Sequence, residues 1–444
     1  MNANSSDKTY ERMRGENVFK LLLSFSLTTF ASLLLNTVYS LTDALFVAKA
    51  VGDDAFGGVS IVFPFVIFQS AVATAVGGGA ASIVSRKLGA KDSDGAGQTT
   101  ANAMFVFYST AIITTIIGFV FMEEVLRIFG VTEELLPFAK SYFAVILAGN
   151  VFSTGFSSII RAEGNMKYSL LIWIIPISVN IALDALFIIV FNWGVIGSAA
   201  ATVVCQFVSF CMSVFFFMRR SKQSFKKAKL SFKTAGEVLS VGLPALIQTA
   251  SLSVSAIILN NAMKTVAGTV GINAYSYVNK VVTYLIMPLT AFSQALSPIV
   301  GFNYGAKDVK RVRSAVFAAA TLSLLYSVVV FVPVEIFPEA FLGIFTESPE
   351  LLSLGGVGLA VVSVALFPLS VTNVVGATLQ TLGKKYASAL AFSSMLVFLI
   401  PLSILLPAKL GIRGVWLSYL LANVLAAILA VIIGAFENRK LGKE

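Results

Sequence analysis

The 444-residue sequence has no histidine, only two cysteines, and charged residues at just 12% of the chain. Without histidine, the usual metal ligand and the usual near-neutral proton carrier are both missing. Cys205 and Cys211 fall inside one apolar run, so they read as small core residues with no redox or metal meaning. Charge this sparse cannot cover the surface of a soluble domain. With 57% hydrophobic residues and a mean hydropathy of +0.87, the chain is a polytopic membrane protein. Its apolar runs are roughly 20–30 residues long and lack the alternation of barrel strands, so the spans are helices and the fold class is all-α. Residues 1–17 are polar and the first apolar run is too long for a secretion signal, so no cleavable segment is expected.

Twelve spans are expected, at residues 18–48, 56–85, 99–121, 136–160, 168–191, 195–218, 237–263, 270–300, 314–334, 351–380, 386–407 and 414–436. Most of the 32 basic residues fall in alternate connections. These include Lys8, Arg12 and Arg14, then Arg86, Lys87 and Lys91, then the run from Arg219 to Lys233, and finally Arg439, Lys440 and Lys443. The opposite connections hold most of the acids outside the spans, such as Glu123, Glu124, Glu133 and Glu134. The positive-inside rule then puts both termini in the cytoplasm. The net charge of +10 reflects topology and attraction to anionic lipid headgroups rather than nucleic acid, for which no folded basic module is present.

The longest basic connection divides the chain into a tail (1–17), an N-lobe (18–218), a linker (219–236), a C-lobe (237–436) and a second tail (437–444). Sliding the second half back by 216 residues places Gly305-Ala306-Lys307-Asp308 on Gly89-Ala90-Lys91-Asp92, Gly268 on Gly52 and Ser240 on Ser24. With small slips, Gly164 matches Gly383, and Gly194 matches Gly411. Six spans is an even number, so the repeats share one orientation in the membrane. Parallel repeats imply two lobes with a cavity between them, a transporter architecture. Gly77-Gly78-Gly79 is not a phosphate loop, because no Lys-Ser/Thr follows. It sits mid-span, where close helix packing or a flexible break is the reading.

Two polar clusters interrupt the apolar runs. Asn36, Tyr39 and Asp43 stand at i, i+3 and i+7, one stripe on a helix. Asn180 and Asp184 are four apart on a later span, with Pro176 a turn before, and Thr202 and Gln206 are four apart on the next. A carboxylate inside the bilayer costs about 2.5–3.5 kcal/mol on insertion scales and marks a functional site by default. Two carboxylates, an amide, a hydroxyl and Tyr39 make an oxygen-rich cage that suits a hard cation such as Na+. The same carboxylates carry protons where burial disfavours the charged form. A structural hydrogen bond between helices is the plainer alternative for Asp184.

Other candidates are Lys280, an intramembrane cation, and Asn273, Tyr277, Gln294 and Gln69, which could line the cavity. Arg161 and Glu163 lie near the cytoplasmic end, where a gating salt bridge or snorkelling would both fit.

The sequence resembles the multidrug and toxic-compound extrusion (MATE) family, in its DinF-like and MepA-like bacterial branch. The resemblance covers essentially the whole chain. It rests on the stripe ending at Asp43, on Ile160-Arg161-Ala162-Glu163-Gly164-Asn165, on Asn180-Ile181-Ala182-Leu183-Asp184, on the Gly194 to Thr202 stretch, and on the doubled Gly-Ala-Lys-Asp. It implies two six-helix lobes in a V and export of organic cations and other amphipathic drugs from the bacterial inner membrane, driven by H+ or Na+. It also implies no cofactor, and a coupling site in the N-terminal lobe at Asp43, Asn180, Asp184 and Thr202 with Tyr39 alongside. Two departures stand out. A second branch of the family keeps carboxylates on the seventh and tenth spans, where this chain has Gln248-Thr249-Ala250-Ser251 and Ser370-Val371-Thr372-Asn373. Some relatives carry a proline early in the first span, where residues 24–28 here read Ser-Phe-Ser-Leu-Thr. The expected protein is a monomeric exporter and not an enzyme, with small-molecule drugs and membrane lipids as its partners. A lipid-linked sugar flippase of the same superfamily is the alternative, which would want a more basic cavity than Lys280 alone provides.

Overall fold

In the computed structural model the chain is helical along almost its whole described length. The description covers residues 11–441 apart from 52, 130, 132, 154–155, 227 and 345–347. The side chains of 36, 38–50, 53–54, 56–57, 60, 63, 253, 269 and 272–273 also lie outside it. Asn36, Tyr39, Asp43 and Asn273 are therefore placed on helices, with nothing stated about their side chains.

The spans, numbered in order, are Val18–Ala50, Asp53–Gly89, Ser93–Val120, Leu136–Ala162, Met166–Val190, Gly194–Arg219, Phe232–Gly268, Ala274–Gly305, Val309–Ile336, Pro349–Thr381, Lys385–Leu410 and Ile412–Lys440. Among the described residues, eleven are long and apolar enough to cross a bilayer on their own. The tenth is a pair, Pro349–Val364 and Leu366–Thr381, bent by 43°, and counting it as one span gives twelve. The sequence reads as continuous apolar helix through that bend. Spans 7 and 8 follow one another through a single non-helical residue, Gly268, at φ +58°. That conformation is open to glycine and costly for a side chain with a Cβ.

The internal repeat is visible in the backbone. Lys91 and Lys307 both adopt left-handed φ, at 62° and 61°. The N–H groups of Asp92 and Asp308 reach back to the Lys87 and Asn303 carbonyls at 2.8 and 2.9 Å, closing the preceding helix. Each Asp then caps the next span, Asp92 accepting from the Gly95 N–H at 2.8 Å and Asp308 from the Arg311 N–H at 3.0 Å. The doubled Gly-Ala-Lys-Asp is thus a helix stop and a helix start in four residues. Gly164 and Gly383, at φ 81° and 78°, are a second matched pair of turns.

The chain forms two compact units. One is built on Ala31–Gly242, and the other joins Met13–Phe30 to Leu243–Glu444. The first contains two apolar cores: one holds Ile83, Phe107, Phe156, Ile160 and Phe216, the other Phe65, Phe143, Leu147 and Ile188. Gly79 lets span 2 approach span 7, since a Cβ there would press on the Val238 carbonyl and lie 2.8 Å from the Gly242 nitrogen. Close packing is therefore the role of at least this glycine of the triplet. In the second unit, Leu259, Val278, Leu359, Leu399 and Trp416 form the main core. Cys205 is buried as expected, whereas Cys211 is exposed, because six residues of helix turn it to the outward face of span 6.

Candidate functional site

Span 5 carries the one intramembrane carboxylate whose side chain is described. Asn180 and Asp184 are fully buried and Thr202, on span 6, nearly so. With the Asn180 amide oriented to suit both neighbours, its NH2 donates to Asp184 Oδ2 at 3.0 Å and its oxygen accepts from the Thr202 N–H at 3.3 Å. The helical period puts Asn180 one turn above Asp184, and the amide then bridges two spans. Immediately after Asp184 the helix widens into a π-helix over Ala185–Val190. Such widening frees carbonyl oxygens from regular pairing and is common at functional sites. Pro176 lies buried two turns before Asp184 in the same helix. Three of the five expected coupling residues thus meet. Tyr39 and Asp43 lie outside the described side chains, and Gln206, one turn beyond Thr202, is half-buried.

Gln69, expected as a cavity residue, is instead buried in a polar knot. Its amide donates to Asn150 Oδ1 and to Thr114 Oγ1 (3.3 Å). The Asn150 NH2 in turn reaches the Ala111 carbonyl and the hydroxyls of Thr114 and Thr115, each at 3.1 Å. Asn150 starts the 3-10 turn Asn150–Phe152, where span 4 breaks, so the knot ties the broken helix to spans 2 and 3. Asn150 was not singled out from the sequence, although a lone amide after Gly149 in an apolar run is a usable signal.

Arg161 and Glu163 do not pair. The Arg161 guanidinium meets Ser158 and Ser169 hydroxyls at 3.1 and 3.4 Å. Glu163 turns the other way and is 2% exposed. It accepts from the Ser221 hydroxyl at 2.5 Å, the Lys222 N–H at 3.0 Å and the Gln223 amide at 2.6 Å. Gln223 Oε1 then accepts from Thr100 on span 3 at 2.5 Å. Burial pushes the Glu163 carboxyl above the usual carboxylate range, against the downward pull of these three donors. The basic linker is therefore strapped down along its start. Further on, the Ser224 N–H donates to the Ser93 carbonyl at 3.0 Å, and Gln98 and Asn102 hold the Lys229 backbone, the Lys229 N–H donating to Gln98 Oε1 at 2.6 Å. Gly97 faces the linker where a Cβ would run into the Ser224 carbonyl.

In the second unit, Gln248 donates to Asn373 Oδ1 at 3.1 Å, joining spans 7 and 10 through a neutral amide pair. Lys280 is exposed, its ammonium 5.7 Å from the centroid of the half-buried Tyr277 ring, and Gln294 is half-buried.

A duplicated set of helical spans, with a buried carboxylate and amide bridging two of them, defines a multi-pass membrane transporter. The MatE family model matches residues 29–186 and 244–405, most of both repeats, and the chain belongs to that family of multidrug transporters. It is 22% identical over 422 residues to the multidrug export protein MepA of Staphylococcus aureus strain MRSA252, covering 94% of this chain and 93% of that one. It is 21% identical over 430 residues to MepA of Staphylococcus haemolyticus, covering 95% of each. Among solved structures, an outward-facing multidrug resistance MATE family transporter of the MOP superfamily aligns with a TM-score of 0.90 at 24% identity, over 98% of this chain and 99% of that one. A MATE crystal structure in a bent conformation aligns with a TM-score of 0.91 at 23% identity, over 98% of each chain. These likenesses establish the fold.

Proposed function

We propose that this protein is a secondary active exporter that exchanges H+ or Na+ for amphipathic organic compounds, cationic ones included, by alternating access of its two lobes. The supporting observation is the fully buried Asp184, bridged by Asn180 to the Thr202 backbone. A bare carboxylate anion in that position is costly, and either a proton or a sodium ion neutralises it. Asp43, with Tyr39 and Asn36 on the same helical stripe, supplies the second carboxylate of this reading. Gln206, Asn273, Tyr277, Lys280 and Gln294 are its contacts for the transported compound.

The coupling logic needs no contact between ion and drug. Each binds one lobe arrangement better than the other, and a differential of a few kcal/mol per ligand shifts the equilibrium enough to move both. The lobes of this reading are residues 18–218 and 237–436, with both termini and the 219–236 linker on the cytoplasmic side of the bacterial inner membrane. The protein acts as a monomer without a cofactor. The names of the staphylococcal relatives, multidrug export proteins, support the substrate class.

The test is efflux of a fluorescent organic cation from proteoliposomes under an imposed pH gradient or an imposed Na+ gradient. Wild-type protein pumps under at least one gradient, and Asp184→Asn, folded as judged by its melting curve, does not. Wild-type pumping by Asp184→Asn would remove the carboxylate from the mechanism. Transport under neither gradient would remove antiport altogether.

A further inference from the structure

The break in span 4 lies beside the cluster of Asn180, Asp184 and Thr202. Leu147 of span 4, Ile188 of the π-helix after Asp184 and Ala199 of span 6 share one buried core. One turn beyond Ala199 stand Thr202, whose N–H meets the Asn180 amide, and Val203. The last helical residue before the break is Gly149, buried against Val203. A Cβ at Gly149 would run into Val203 Cγ2 and would lie 2.6 Å from its Cγ1 and 2.9 Å from its Cβ.

The break itself does not call for glycine. The 216-residue shift places Gly149 on Ala365, and the second unit breaks its span there too, between Val364 and Leu366. The two breaks are even tied at matching positions. Asn150 donates to the Ala111 carbonyl at 3.1 Å, and the Ser327 hydroxyl to the Leu366 carbonyl at 3.3 Å. Under the same shift Ser327 is equivalent to Ala111, and Leu366 to Asn150. Ala365 is buried with its methyl group in place. Glycine at the break is thus peculiar to the repeat that carries Asp184.

We infer that Gly149 is a positioning residue for the coupling site, setting how closely span 6 approaches and so where Thr202 presents its N–H to Asn180. The inference rests on the exporter reading above and adds to it a residue that acts through its neighbours. Span 4 is pinned at this level. The Leu147 carbonyl accepts from the Thr115 hydroxyl at 3.2 Å, and Asn150 is bonded to Gln69, Ala111, Thr114 and Thr115. Val203 is β-branched and has little rotamer freedom on a helix, and the contact reaches its Cβ, which no rotamer moves. A methyl at Gly149 therefore displaces the backbone of span 6. The contact from Thr202 to Asn180, at 3.3 Å, is already long for an N–H···O bond, so a small displacement breaks it. Asn180 then loses the partner that orients its amide, and with it the orientation of the NH2 on Asp184 Oδ2.

The experiment is efflux of a fluorescent organic cation from proteoliposomes, titrated with the ion whose gradient drives the wild type. Gly149→Ala shifts the ion concentration at half-maximal efflux by about 3- to 10-fold, the worth of one hydrogen bond, and leaves equilibrium binding of the dye unchanged. Combining it with Val203→Ala, which clears the space, restores the wild-type ion dependence. Val203→Ile adds one methyl at the same contact and shifts the ion dependence in the same sense, so the reading stays testable where Gly149→Ala does not fold. Gly58→Ala is the packing control. Its Cβ would lie 2.7 Å from Phe138 Cβ, between spans 2 and 4, so it lowers the melting temperature without moving the ion dependence. Wild-type ion dependence in both Gly149→Ala and Val203→Ile overturns the inference while the exporter reading stands. So does an equal shift in Gly58→Ala, or a shift that Val203→Ala does not reverse. Efflux by wild type under neither gradient sinks the exporter reading, and this one with it.

Discussion

Removing the Glu163 side chain should release the linker. Its carboxylate holds three donors, from Ser221, Lys222 and Gln223, and the last of these continues to Thr100. In Glu163→Ala the Lys222 N–H and the buried Gln223 amide lose their acceptor, and each such loss costs about 1–3 kcal/mol. Part of the loss is offset, because the variant no longer buries a carboxylate and water reaches Ser221. A net weakening of about 2–4 kcal/mol remains. That corresponds to a roughly 30- to 1,000-fold rise in local opening of the linker. Hydrogen exchange at the Lys222, Gln223 and Ser224 amides, compared with those of span 3, measures it directly. Wild-type protection in Glu163→Ala would refute the latch.

The same site sets a pH dependence whose sign follows from linkage. Burial holds the docked carboxyl above its ordinary range, so the docked state takes up a proton more readily than the undocked one. Docking is therefore strongest at low pH. It weakens as pH rises from the ordinary carboxylate range through the raised docked value. Glu163→Gln has no proton to exchange and should dock with a flat profile. Its amide would face the Gln223 amide, donor to donor, at a cost of about 1 kcal/mol. A sloped profile in Glu163→Gln would assign the titration to another group.

Asn150→Leu should destabilise the first unit by about 2–3 kcal/mol, since it leaves the Gln69 amide with Thr114 alone and removes bonds to Ala111, Thr114 and Thr115. The midpoint of thermal unfolding in detergent reads this out, and Asn150→Asp should recover part of it. Arg311→Ala should free the segment before span 1, because Arg311 donates to the carbonyls of Met13 (3.1 Å) and Glu16 (2.6 Å). Trypsin should then cut after Arg14 about tenfold faster, with cleavage elsewhere unchanged.

How much of this was legible beforehand depends on the sequence distance between partners. Asn180 and Asp184 announce themselves, because a four-residue spacing is a contact along one helix face. Thr202 belongs to another span, and no periodicity argument brings it to Asn180; the family resemblance placed it there. The doubled Gly-Ala-Lys-Asp was readable as a repeat, and its geometry explains the identity: a left-handed residue followed by a capping carboxylate leaves few alternatives. Glu163 was read with Arg161, its near neighbour, yet its partners lie 58 to 60 residues on. Ser221 and Gln223 are inconspicuous among the linker's lysines. Gln69 failed for the same reason: an amide in an apolar run looks like a cavity residue until its partner, 81 residues away, is in place.

The two repeats also hold each other's first spans. Met13 and Lys229 are equivalent under the 216-residue shift, and both backbone carbonyls are gripped by side chains, Met13 by Arg311 and Asn303 and Lys229 by Gln98 and Asn102. Yet Met13–Phe30 belongs to the unit of the second repeat, and residues 229–242 to the unit of the first. Spans 1 and 7 therefore each begin on one unit and finish on the other, crossing after Phe30 and after Gly242. Any motion between the units must be taken up within those two helices. Span 7 has Pro244 there, which removes a helix hydrogen bond. Span 1 has no proline, but the hydroxyls of Ser26, Thr28 and Thr29 bond back to the carbonyls of Leu22, Ser24 and Phe25 at 2.8–2.9 Å. Such back-bonding competes with the regular ladder and bends helices. Ser26→Ala combined with Thr29→Val should stiffen span 1, slowing efflux severalfold while leaving equilibrium binding of the dye unchanged. Adding Pro244→Ala should slow it further, and wild-type efflux in the triple variant would show that neither crossing point moves during transport.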